Sequence, residues 1–117
     1  MKDMTSGTFT ATRSYQAAYT DPLVFKKGQE LDFESRETEW QGWIWCTDSR
    51  GNGRWLPENW ITIEGSKCTL KRDYTPVELT VSPGEELTVA FTESEWAWAT
   101  NQKGESGWVP LDFLERV

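Results

Sequence analysis

The chain reads as an all-β protein built from two consecutive copies of one small fold, on three observations. A tryptophan strand recurs: Trp43-Ile44-Trp45-Cys46-Thr47, Gly51 and Trp55-Leu56-Pro57 return as Trp96-Ala97-Trp98-Ala99-Thr100, Gly104 and Trp108-Val109-Pro110. The spacing holds without a gap from Trp43/Trp96 through Ile61/Leu114, a register that chance rarely keeps for Trp, Gly and Pro together. Short alternating or β-branched runs broken by Gly, Pro, Asn and Asp account for most of the remainder, and no segment sustains a helical period. Divided in two, the chain gives domains of roughly 50 to 60 residues, small enough that large side chains must supply much of each core.

In the first copy the strands are expected at 9–14, 30–34, 42–47, 53–57 and 61–63. Lys27-Gly28 marks a tight bend ahead of the second, and Ser49-Arg50-Gly51-Asn52-Gly53 is a hairpin tip between the two Trp-bearing strands. The second copy offers 67–74, 86–91, 96–100, 107–110 and 114–116, with Pro83-Gly84 and Gln102 to Gly107 as the matching turns. Period-2 alternation puts Ile44, Cys46, Leu56 and Ile61 on one face and Trp43, Trp45 and Trp55 on the other. One face is then an aliphatic core, and the other is a plate of indoles that needs something packed on it. The expected boundaries are a flexible start at 1–7, a first domain at 8–63 and a second at 66–117. Gly65 and its neighbours are too few to act as a flexible tether.

Composition narrows the function. Twelve Lys+Arg against 19 Asp+Glu give a net charge of −7, which disfavours nucleic acid and anionic membranes as partners because both need a positive footprint. Through Glu64 there are 7 basic and 10 acidic residues, and after it 5 and 9, so the copies carry −3 and −4. Both should attract basic ligands. No run of 18 apolar residues exists and the first residues lack the apolar stretch of an export signal, so a cytoplasmic location is expected. With no histidine, Cys46 and Cys68 cannot complete a zinc site, and no cofactor is expected. Cys46 stands where the second copy has Ala99, which favours a small buried residue over a reactive thiol. A disulfide between the two cysteines stays open. Without histidine, a Gly-rich phosphate loop or a nucleophile motif, the chain is not expected to be an enzyme.

The ordered motifs resemble a Src-homology-3 domain, twice. The first copy has Ala11-Thr12-Arg13-Ser14-Tyr15, Leu23-Val24-Phe25-Lys26-Lys27-Gly28, Trp43, Trp55-Leu56-Pro57 and Asn59-Trp60-Ile61. The second has Leu70-Lys71-Arg72-Asp73-Tyr74, Glu78-Leu79-Thr80-Val81-Ser82-Pro83-Gly84, Trp96, Trp108-Val109-Pro110 and Asp112-Phe113-Leu114. The Trp-Xaa-Trp strand is closer to microbial members of that family. The resemblance implies two consecutive five-stranded β-barrels joined by a very short linker, each binding an extended, polyproline-type segment between aromatic rings.

Carried onto this sequence, the first groove would comprise Tyr15, Trp43, Pro57, Asn59 and Trp60 with Trp55 at its edge. The second would comprise Tyr74, Trp96, Pro110 and Phe113 with Trp108 at its edge, and Glu78 at the position of the family's specificity acid. Pro22 holds that position in the first copy, beside Asp21, with Glu34, Glu37 and Glu39 in the neighbouring loop. In the second copy Glu93 and Glu95 are expected near Glu78. Arg13 and Arg72 replace a groove tyrosine, removing an aromatic wall from one proline pocket, and read most simply as partners of carboxylates. The resulting expectation is a non-catalytic interaction module for a basic, extended, possibly proline-rich protein segment. The alternatives are an assembly protein whose Trp faces pack against each other or a second chain, and a wall-sugar binder using the same indoles.

Overall fold

A computed structural model describes residues 6–21, 23–36 and 41–117. The fold is all-β, with two five-stranded antiparallel sheets. Among the described residues, strands run in the order β1 (Gly7–Ala11), β2 (Glu30–Glu34), β3 (Trp43–Thr47), β4 (Gly53–Pro57), β5 (Ile61–Glu64), β6 (Lys67–Leu70), β7 (Glu86–Glu93), β8 (Trp96–Thr100), β9 (Ser106–Pro110) and β10 (Leu114–Arg116). Two single 3₁₀ turns, Glu58–Trp60 and Leu111–Phe113, follow the Pro-ended strands β4 and β9. Alternation alone could not show these turns, because each is only three residues long.

The strands fall where the sequence puts them, to within a few residues, but their partners cross the repeat. One sheet has the order β4-β3-β2-β6-β5 and the other β10-β1-β7-β8-β9. Thus β6, the first strand of the second repeat, lies between β2 and β5 of the first, with Leu31 opposite Cys68 and Ile61 opposite Leu70. Reciprocally β1, the first strand of the first repeat, lies between β7 and β10 of the second, with Phe9 opposite both Leu87 and Arg116. The compact units are therefore Pro22–Pro76 and Met1–Asp21 with Val77–Val117. These differ from the continuous domains 8–63 and 66–117 that the repeat suggests.

The connection between β5 and β6 explains the crossing. Glu64 pairs with Lys67, leaving Gly65-Ser66 as a two-residue turn. Gly65 has φ +61°, the positive φ that a II′ hairpin needs at its first central position. A link this short folds β6 directly back on β5, and the edge that β6 occupies is then closed to β1.

Each unit has its own core. In Pro22–Pro76 the buried apolar residues include Phe25, Leu31, Cys46, Leu56, Ile61, Cys68 and Leu70. Cys46, Leu56 and Ile61 are buried as alternation predicts, while Ile44 is only half-buried. Trp45 and Trp55 stay half-buried and pack edge to face at 5.2 Å. Trp43 is the departure from the indole plate, being only 8% exposed. In the other unit Phe9 and Ala11 of β1 share a core with Leu79, Val81, Leu87, Val89, Ala97, Ala99 and Val109. Within β7 the register shifts between Val89 and Phe91, a bulge; residues 86–89 pair with β1, while Thr88, Val89 and the residues from Phe91 on pair with β8. Gly7, placed in the flexible start by sequence, is part of β1, and residues 1–5 lie outside the described residues.

Candidate functional site

The discontinuous unit carries a half-buried aromatic cluster around Tyr15. After β1 the chain stays extended, and Tyr15 exchanges both backbone hydrogen bonds with Val81 at 3.0 Å. This sets the Tyr15 ring edge-on against Trp96, at 5.8 Å between centroids, and against Phe113 at 5.6 Å. Trp96 opens β8 and Phe113 ends the second 3₁₀ turn, just after the buried Pro110. Tyr15, Trp96 and Phe113 are each half-buried, and Trp96 pairs across the β8–β9 ladder with the buried Pro110.

A tight turn places Trp96. Glu93 pairs with Trp96, and the two residues between them, Ser94 and Glu95, have φ 46° and 74°. A two-residue hairpin with both central φ positive is the I′ arrangement, which usually calls for Asn-Gly. Here non-glycine residues hold it, at a steric cost. Glu95 O accepts the Leu111 N–H at 2.9 Å, which ties this turn to the 3₁₀ turn bearing Phe113.

Glu78 fixes the other wall. The Tyr15 hydroxyl donates to Glu78 Oε1 at 2.6 Å and the Ala18 N–H donates to the same oxygen at 2.7 Å, while Ala17 N–H donates to Thr80 Oγ1 at 3.0 Å. Burial, followed by the hydrogen bond to Glu78 and its charge, holds the Tyr15 phenol above its ordinary range. Among the described residues, nothing donates to Glu78 Oε2. Gly107 lets the Glu78 segment approach: a Cβ there would fall 2.7 Å from Glu78 C and Leu79 N, where Leu79 N–H donates to Trp108 O and Trp108 N–H to Val77 O.

Arg13 lies over the Phe113 ring, 4.1 Å from its centroid, and Arg72 lies 3.9 Å over Trp60. The expected carboxylate partner of Arg13 does not occur among the described residues. A cation over a ring face replaces it, an arrangement worth about 0.5–1 kcal/mol at exposed sites.

The groove sets read from sequence are re-sorted. Tyr15 meets Trp96 and Phe113 instead of Trp43 and Trp60, because the strand that carries it belongs to the other sheet. For the same reason Tyr74 meets Trp60, edge-on at 5.7 Å, and stacks on Phe25. Its hydroxyl donates to Trp55 O at 2.8 Å. The continuous unit repeats the Tyr15–Phe113–Arg13 geometry with Tyr74, Trp60 and Arg72, yet Tyr74 is 4%, Trp60 8% and Trp43 8% exposed. These rings are core, with Pro57 buried beside them in sequence and Asn59 exposed on the first 3₁₀ turn. Trp108 is also core, 3% exposed between Trp98 and Phe91 at 5.4 and 5.7 Å, not a groove edge. Trp55 is half-buried and packs edge to face against Trp45.

Cys46 and Cys68 are both free and buried, with Sγ atoms 3.2 Å apart. Burial pushes both thiols up. Pro22, Glu37 and Glu39 lie outside the described residues. Among the described residues no group of three or more His, Cys, Asp or Glu could hold a metal ion, and no helix is long and apolar enough to cross a membrane. No protein-family model, characterised protein or solved structure matches the chain.

Proposed function

We propose that the chain is a non-catalytic interaction module of tandem Src-homology-3 type, its two sheets forming small closed barrels, and that it binds an extended basic segment at the Tyr15–Trp96–Phe113 cluster. One observation carries this reading: the partly exposed Tyr15 ring meets Trp96 and Phe113 edge-on while its hydroxyl is held by Glu78 Oε1, and among the described residues nothing donates to Glu78 Oε2. Flat rings with fixed spacing suit a preformed polyproline-type helix, and Glu78 Oε2 suits an Arg or Lys flanking it. The net charge of −7 favours such a ligand at long range. Arg13 over Phe113 narrows the proline pocket on that side. The ligand would be gripped mainly between Tyr15 and Trp96.

The two units are not equivalent in this reading. Trp43, Trp60 and Tyr74 are buried, so the continuous unit serves as scaffold and the discontinuous one as receptor. Titration of the full chain with an extended proline-containing peptide bearing a terminal Arg tests this, followed by NMR amide shifts. Trp96→Ala should weaken binding about tenfold or more, while Trp43→Ala, if folded, should leave it unchanged. Binding that survives Trp96→Ala undiminished would overturn the assignment.

A further inference from the structure

The pairing pattern makes the N-terminal segment a strand held by recognition, not by chain continuity. Among the described residues its backbone partners from Gly7 to Tyr19 lie in 77–89 or 113–117: the ladders to β7 and β10, Thr12 N–H to Phe113 O at 2.8 Å, Gly84 N–H to Ala11 O at 2.8 Å, and Glu78 N–H to Tyr19 O at 2.7 Å. Phe9 and Ala11 fill the core of that unit. The chain then leaves for the continuous unit after Asp21 and returns at Val77, so more than fifty residues intervene between this strand and the body it completes. By contrast β6 cannot leave, because the two-residue Gly65-Ser66 turn ties it to β5.

We propose that the slot between β7 and β10 is a strand-acceptor site for a second copy of this chain, and that two copies assemble by exchanging their N-terminal segments through Asp21. A second copy's segment 7–19 offers the same Phe9, Ala11 and Tyr15 and the same hydrogen bonds, so the exchange conserves the contacts inside each unit. Reciprocal exchange closes with two-fold symmetry, the usual low-cost route to a swapped dimer. A chain's own strand wins in dilute solution through its effective concentration, which falls as the connecting chain lengthens. Chains refolded together at comparable concentration lose that advantage. The exchanged dimer carries two complete Tyr15–Trp96–Phe113 clusters, each with its tyrosine from the other copy.

The test uses two full-length chains with Cys46 and Cys68 replaced by Ala, one carrying Thr8→Cys and the other Thr88→Cys, positions paired across β1 and β7 and both exposed. The two are unfolded together, refolded at high concentration and oxidised. The expected result is a covalent heterodimer that reduction dissolves, with light scattering showing twice the chain mass for wild-type protein refolded alike and a dimer fraction that rises with concentration. Thr10→Cys with Glu86→Cys repeats the measurement if the first pair perturbs folding. A monomer mass for the wild type at every refolding concentration overturns the proposal, as does a dimer in which neither cysteine pair cross-links between chains.

Discussion

Phe9→Ala separates the observed pairing from the one that the repeat suggests. Phe9 is 7% exposed, shares a core with Leu87, Val89, Ala97 and Ala99, and has Arg116 over its ring at 4.8 Å. Truncating a buried Phe to Ala costs about 3–5 kcal/mol. With the ring's residual exposure, about 3 kcal/mol is the appropriate figure, near a 150-fold change in an opening equilibrium. A unit of about 60 residues has only some 3–9 kcal/mol in total, so the loss approaches the whole stability of the unit that holds β1. Hydrogen exchange read by mass spectrometry should show protection collapsing in peptides spanning 86–100 and 107–117, with peptides spanning 30–34 and 61–70 retaining most of theirs. The reasoning is refuted if protection is lost first in 30–34 and 61–64, the strands that β1 would join within its own repeat.

Other expectations rest on single positions. Glu95→Gly relieves a positive φ of 74° and should raise stability by about 1 kcal/mol, seen as a higher Tm; a lower Tm would contradict the strained turn. Gly107→Ala forces a Cβ against the Glu78 backbone, should cost about 1–3 kcal/mol as an overpacked site, and should shift the Tyr15 and Ala18 amide signals; an unperturbed spectrum would count against it. The raised Tyr15 phenol binds its proton more tightly folded than unfolded, so its contribution is intact below pH about 10 and is lost as pH rises through the folded value. Tyr15→Phe should accordingly flatten the alkaline decline of stability, and an unchanged decline would place its origin elsewhere. Cys46 and Cys68, buried with raised thiol pKa values, should resist alkylation in the native protein and react at once when it unfolds; ready native labelling would contradict their burial.

Strands, turns and the duplication were legible because each is local: Gly51, Gly104 and the paired Trp-Xaa-Trp runs declare hairpins without reference to the rest of the chain. Which first strand completes which sheet is not local. Residues 9–15 and 68–74 share Thr, Arg and Tyr at one spacing, so similarity alone assigns each to its own repeat. Two signals pointed the other way. The Gly65-Ser66 link is long enough only for a hairpin. Core volumes also match across repeats: large Phe9 sits in the core that holds Ala97 and Ala99, and Cys68 meets Cys46, whereas pairing within repeats would combine Phe9 with Cys46 and Cys68 with Ala99. Because Tyr15 and Tyr74 follow those strands, pairing by similarity puts each of them among the wrong rings. The burial of Trp43 and Trp60, and the ring partners of Arg13 and Arg72, depend on the same tertiary pairing.

The proposed binding surface draws on both repeats, and nuclear Overhauser contacts of the Tyr15 ring test that arrangement most directly. The account predicts cross-peaks from Tyr15 to Trp96 and Phe113, whose ring centroids lie 5.8 and 5.6 Å away, with these signals moving together when an extended basic peptide is added. Cross-peaks from Tyr15 to Trp43 and Trp60 instead would contradict it.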